Sequence, residues 1–290
     1  MTDFLILGSI AMAATPLVFA ALGELVTERA GVLNLGVEGM MLMGAVCGFI
    51  AVASGAHWAV GAAAGALAGA CLACLFAALV LGFAANQVAS GLALTIFGTG
   101  LSALVGSNYV GTPVDKIPAV LWGLDPMVFA ALAMSAGMAF WLYRTRQGLI
   151  LRAVGENAEA AHAHGHAVLR VRLLAILFGG AMSGLGGAYL SLAYTPLWAE
   201  GMTAGRGWIA LALVVFGAWR PGRVLIGAYL FGSVGVLQLH AQSSGLLAVP
   251  SEILSMLPYI ATIAVLALLT TRRQQSRAPA ALGQPFHRLR

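Results

Sequence analysis

Between Glu38 and Asp115 lies a 76-residue stretch, 39–114, without one Asp, Glu, Lys or Arg. A soluble domain carries roughly one charged residue in four. A run this long and this bare has to be solvated by something other than water. It is also too long for a single membrane crossing, which takes ~20 residues. Further uncharged runs follow at 126–143, 173–199, 207–219, 224–251 and 253–271, and one precedes at 4–23. Across the chain 60% of residues are apolar and 9% charged. That balance excludes a soluble enzyme, a disordered tail and a disulfide-rich secreted domain. The apolar runs are continuous rather than alternating, which argues against a closed β-barrel. The expected fold is all-α: a polytopic transmembrane helical bundle.

Turn signals at Ser54-Gly55-Ala56-His57 and at Asn86-Gln87 divide the long run. Nine spans result, at 4–22, 37–53, 59–84, 88–106, 126–143, 173–194, 204–219, 224–242 and 254–271. The seventh is short, which suits a tilted, broken or partly inserted helix. Alternating sides along these spans puts Arg29, Arg144, Arg146, Arg152, Arg170, Arg172, Arg220, Arg223, Arg272, Arg273, Arg277, Arg288 and Arg290 on one face. Only Lys116 and Arg206 fall on the other. The positive-inside rule then predicts an external amino terminus and a cytoplasmic carboxyl terminus. The expected organisation is a single transmembrane domain, 1–272, with one sizeable cytoplasmic loop at 144–172 and a basic tail at 273–290. No basic residue precedes the first span, so it reads as a retained span and not a cleaved signal. The net charge of +5 is face charge. It suits anionic membrane lipid and an intracellular partner, not nucleic acid.

Glycines recur at four-residue spacing, at Gly61, Gly65 and Gly69 in the third span and Gly180 and Gly184 in the sixth. Such faces let helix backbones approach closely in lipid. Cys71 and Cys74 form a C-x-x-C inside an Ala/Leu/Gly run and read as two small apolar residues on one helix face. Enzyme signatures fail. A Walker A loop needs Gly-Lys-Ser/Thr, and the sole lysine, Lys116, follows Asp115. Ser183 and His240 make a poor intramembrane protease pair, with Ala181 where such enzymes commonly carry Gly. No cofactor and no metal are expected. His162, His164 and His166 lack an acidic or Cys ligand nearby and read as surface histidines.

Two polar segments remain. In the 144–172 loop, Asn157 is a plausible N-cap, Glu159 lies in a first turn, and Gly165 is a ready C′ residue. This predicts a short self-capped helix over 156–165. It reads either as a surface that sits in another protein's groove or as an amphipathic connector on the membrane. The second segment runs from Glu24 to Gly39 and holds three acids, Arg29 and Asn34 among glycines. It reads either as a cytoplasmic turn or as a broken helix facing a cavity. Glu38, one residue before a fully apolar run, is a functional candidate by its position.

The run Ala21-Leu22-Gly23-Glu24 through Glu28-Arg29-Ala30-Gly31-Val32-Leu33-Asn34-Leu35-Gly36-Val37-Glu38-Gly39-Met40-Met41 resembles the opening of ABC-importer permeases of the nucleoside, basic-membrane-lipoprotein-linked group. These belong with the sugar and branched-chain amino acid permeases. Asn86–Gly91, Gly155-Glu156-Asn157 with Ala160-Ala161, Gly184–Leu190, Gly205–Ala212 and Leu257-Pro258-Tyr259 agree in order. The resemblance spans roughly residues 15 to 270. It implies a transport subunit, not an enzyme, in a bacterial inner membrane. Its implied partners are an ATP-binding ABC subunit, a second permease chain in a heterodimer, and an external substrate-binding protein or lipoprotein. It implies that Gly155, Glu156, Asn157, Ala160, Ala161 and Gly165 belong to an ATPase-coupling helix. It also implies that the 31–39 break lines the path. A nucleoside would suit a path with Asn34, Glu38, Asn86 and Asn108. The sequence His162-Ala163-His164-Gly165-His166 departs from relatives, which usually carry Gly-Ile after a less His-rich stretch. Sugars or branched-chain amino acids are the alternative cargo. An ion-coupled secondary transporter is the alternative class, although its coupling carboxylates would have to be Glu24 and Glu38.

Overall fold

A computed structural model describes residues 2–243, 256, 260 and 278–286. Among these the regular structure is helical, with isolated β-bridges and no strands. The helices are α1 Thr2–Arg29, α2 Val37–Ala53, α3 Trp58–Ala77, α4 Gln87–Gly106, α5 Pro126–Arg144, α6 Arg146–Glu156, α7 Ala158–Ala163, α8 Val168–Tyr189, α9 Arg206–Phe216 and α10 Pro221–Ser243. α3 and α8 each run on into a π-helical turn, Ala78–Gly82 and Leu190–Tyr194.

Six of the described helices are long and apolar enough to cross a membrane: those containing Ile6–Arg29, Trp58–Gly82, Gln87–Tyr109, Pro126–Arg144, Val168–Tyr194 and Pro221–His240. α2 and α9 are shorter. Of the nine expected spans, six coincide with full-length candidates and two, 37–53 and 204–219, with the shorter apolar helices α2 and α9. The ninth, 254–271, lies outside the described residues apart from 256 and 260. α9, at 11 residues, is about 16 Å long, half of a ~30 Å hydrocarbon core. The first span is also longer than expected, because α1 continues past 22 through Glu24 and Glu28 to Arg29. Those charges do not end the helix; inside the bundle Glu28 and Arg29 bond to Trp219, and one Glu24 oxygen accepts from Asn34 N.

The centre is built on close backbone contact. α3 and α8 run antiparallel, and the glycines at four-residue spacing face each other. A Cβ on Gly69 would overlap the Gly180 carbonyl, and one on Gly184 would overlap that of Gly65. α2 joins the same seam, since a Cβ on Gly44 would overlap the Gly184 backbone and one on Gly187 the Met41 carbonyl. Phe19, Leu22, Leu25, Met41, Ala188 and Tyr189 fill the space beside it. α5 starts where Asp125 accepts from Met127 N (2.9 Å) and Val128 N (3.2 Å), with Pro126 at the first helical position. The other Asp125 oxygen accepts from Tyr189 Oη at 2.8 Å, which ties α5 to the end of α8.

Candidate functional site

The chain breaks between α1 and α2, and the break lies inside the bundle. After Arg29 it turns at Gly31, which has φ +86°, and re-enters the core non-helically before α2 begins at Val37. The backbone of this stretch is held from two sides. Asn34 N donates to Glu24 Oε1 at 3.1 Å, more than two helical turns back in sequence. Leu33 N donates to Gln87 Oε1 at 2.8 Å, in the first turn of α4. Asn34 is fully buried, and its Oδ1 accepts from Gly36 N at 2.9 Å. Thr95 Oγ1 donates to Leu35 O at 2.8 Å. Irregular backbone at membrane depth is tolerated only where protein satisfies it, and here α1 and α4 do so.

Glu38 stands at the junction of two helix N-termini. It lies in the first turn of α2, and its carboxylate accepts from Thr203 Oγ1 (2.6 Å), Gly205 N (2.8 Å) and Gly207 N (2.6 Å). Gly205, at φ +81°, is the N-cap of α9. A Cβ on Gly207 would lie 2.6 Å from the Glu38 Cα, so the two helix starts touch. The positive ends of both dipoles meet one carboxylate, which is the favourable arrangement for an anion in low dielectric. The other end of α9 reaches the end of α1. Glu28 accepts from Trp219 Nε1, and Arg29 Nε (3.1 Å) and Nη2 (2.9 Å) donate to Trp219 O. The length of α9 therefore separates Glu38 from the charged end of α1 by about 16 Å.

The four expected pathway residues are not brought together as a set. Asn34 and Glu38 belong to the break. Asn86 is exposed and caps α4, accepting from Ala89 N at 3.0 Å. Asn108 is exposed beyond the far end of α4, a helix about 30 Å long.

The loop 144–172 holds two helices. Thr145 Oγ1 accepts from Gly148 N at 3.1 Å and starts α6, a helix inside the segment expected as loop. Glu156 closes α6, so it is not part of the shorter helix expected over 156–165. Asn157 Oδ1 accepts from Ala160 N at 2.9 Å and starts α7. At its end Gly165, at φ +83°, donates to His162 O (2.8 Å) and His166 N donates to Ala161 O (3.1 Å). These are the two bonds of a Schellman cap. Ala160, His162, Ala163 and His164 are exposed, whereas Ala161 and Ala158 turn inward onto Val154 and Val168. Gly155 is buried against α1, where a Cβ would overlap the Arg29 carbonyl. The residues expected to form one coupling surface thus divide into outward-facing Ala160 and inward-facing Gly155 and Ala161.

Residues 6–266 match the family described as "Branched-chain amino acid transport system / permease component". The chain belongs to that family. It is 41% identical to the Haloferax volcanii protein TsgC13, named as a glucose ABC transporter permease, over 98% of this chain and 97% of the relative. It is 30% identical to the nucleoside ABC transporter permease NupC of Lactococcus lactis, over 91% of this chain and 92% of the relative. It is 31% identical to the guanosine ABC transporter permease NupQ of Bacillus subtilis, over 94% and 93%. A solved inward-facing ABC transporter of the metal-chelate type shares the fold, with a TM-score of 0.54 at 17% identity, over 92% of this chain and 87% of that one. The permease is a multi-pass membrane protein, of the inner membrane in a bacterium, and a transport subunit of an ABC importer rather than an enzyme. The family implies an ATPase partner and a substrate-binding protein. Membership also sets aside the ion-coupled secondary transporter.

Sequence reasoning missed Glu28, Arg172, Thr203 and Trp219. Each is fixed by a partner far along the chain. Local signals exist for two helix starts, the Asp125-Pro126 pair before α5 and Thr145 before α6.

Proposed function

We propose that this chain is the membrane-spanning subunit of a nucleoside importer, working beside a second permease chain in a heterodimer, with its Arg29 end in the cytoplasm. The observation that carries the substrate is the similarity to NupC and NupQ, which runs through more than nine-tenths of both chains in each case. The basic residues gathered at the Arg29 end support the orientation. In this reading an external binding protein delivers the nucleoside. ATP binding on the partner subunit moves α7, and the bundle alternates access around the path. α4 packs one face on the break and leaves Val88, Leu92, Ile96 and Leu104 exposed on the other. The path runs along α4, between Asn86 at one mouth and Asn108 at the other, with Asn34 and Glu38 at its bend.

A sugar is the second reading, favoured by the 41% identity to TsgC13. Uptake of labelled guanosine by cells expressing the whole importer separates the two. The nucleoside reading expects uptake that unlabelled nucleosides suppress and a large excess of glucose leaves unchanged. Glucose uptake without guanosine uptake would reverse the assignment.

A further inference from the structure

The carboxyl-terminal segment 278–286 does not trail from the bundle. It hydrogen-bonds to the turn that opens the break and to the end of α6, and it packs against α7. Ala281 N donates to Gly155 O at 2.9 Å, at the end of α6. Gly283 N donates to Gly31 O at 3.2 Å, at the turn that opens the break. Arg172, in the first turns of α8 and only 1% exposed, bridges the two: Nη1 donates to Gln284 O at 2.9 Å and Nε donates to Ala30 O at 3.2 Å. Phe286 then packs with the cluster of Val154, Ala158, Ala161 and Val168. Its ring meets the His162 ring edge-on, at 5.5 Å between centroids. Nine residues therefore contact the end of α1, the end of α6, α7 and the start of α8.

We propose that this segment is a clasp that positions α7 and passes its movement to the 30–36 break. The proposal rests on the reading of α7 as the ATPase contact. α7 has six residues, too few to hold its own shape by helix propensity alone. Its rigidity has to come from what lies beneath it, and Phe286 is part of that bed. On the other side the clasp grips the peptides of Ala30 and Gly31 through Arg172 and Gly283. A Cβ on Gly31 would lie 3.2 Å from Ala281 O and 3.0 Å from Arg172 Nη2, so this junction is fitted closely. A displacement of α7 reaches the break through α6 and Gly155, through α8 and Arg172, and through the clasp and Gly283. Phe286 is the point at which the clasp meets α7, at the His162 ring.

Phe286→Ala and Phe286→Tyr in the complete importer, reconstituted in proteoliposomes with its ATPase subunit and binding protein, test this. Three quantities are read: ATPase subunit retained on purification, ATP hydrolysed, and substrate taken up. Phe286→Ala should retain the ATPase subunit and its hydrolysis while uptake per ATP falls about tenfold. Phe286→Tyr should restore most of the uptake. Arg172→Lys keeps the charge but loses the fork that spans Gln284 and Ala30, and should uncouple in the same way. Unchanged uptake per ATP in Phe286→Ala would overturn the proposal. Equal loss of ATPase subunit and uptake would also overturn it, by making the segment part of the docking surface. Failure of the unmodified chain to retain any ATPase subunit would instead remove the reading of α7 on which the proposal stands.

Discussion

Three donors from residues 203–207 converge on the Glu38 carboxylate, two of them backbone N–H groups at the start of α9. An acid at this depth is expensive unless it is paired or hydrogen-bonded, and here two helix N-termini and a threonine hydroxyl supply the compensation. Removing it strands three buried donors at once. Glu38→Ala should therefore destabilise the permease by about 3 kcal/mol or more, at roughly 1 kcal/mol or more per orphaned donor. Glu38→Gln keeps one acceptor oxygen and should fall between Ala and wild type. Thermal unfolding of the detergent-purified permease checks the order, wild type above Gln above Ala. Unfolding of Glu38→Ala at the wild-type temperature would mean that the cap contributes nothing. The position of Glu38 beside an apolar run was legible in the sequence. Its partners were not, because they lie some 165 residues away on a segment with no periodic signal.

At the scale of elements, the chain's local code was easier to read than its long-range contacts. Asn86, Asn157 and Gly165 cap helices as their residue types suggest, because capping is decided within a few residues. The glycines at four-residue spacing pack backbone to backbone, as small-residue faces do in lipid. Gly184→Ala should therefore disrupt the α3–α8 seam, since the new Cβ would meet the Gly65 carbonyl and the Gly69 Cα together. An overpacked seam of this kind costs about 1–3 kcal/mol. Gly82→Ala is the control, because a Cβ there meets nothing within 4 Å. The amount of folded protein extracted from membranes should drop severalfold for the first and stay unchanged for the second. Equal yields would mean the seam can relax. What charge counting misread was helix length. It ended the first span at 22, yet α1 runs seven residues further, to Arg29. A buried carboxylate with a partner looks the same in sequence as an exposed one without. α6 was missed for a related reason: its charges marked it as loop, although its Thr145 cap is a local signal.

For the whole molecule, the polar features fall into two groups joined by α9 and the clasp. One group is the break, with Glu24, Asn34 and Glu38 held by α1, α4 and α9. The other is the Arg29 end, where α6, α7, the α9–α10 turn and residues 278–286 meet. In the proposed function, substrate passage falls to the first group and ATPase contact to the second, with α7 touching its partner through its outward residues and not through Ala161. Photo-crosslinking in the assembled importer tests this division most directly, with a photoreactive residue placed either at Ala160 on α7 or at Asn108 beyond the far end of α4. The account predicts a covalent product with the ATPase subunit from position 160 and none from position 108. A product from 108, or none from 160 in a complex that retains the ATPase subunit, would contradict it.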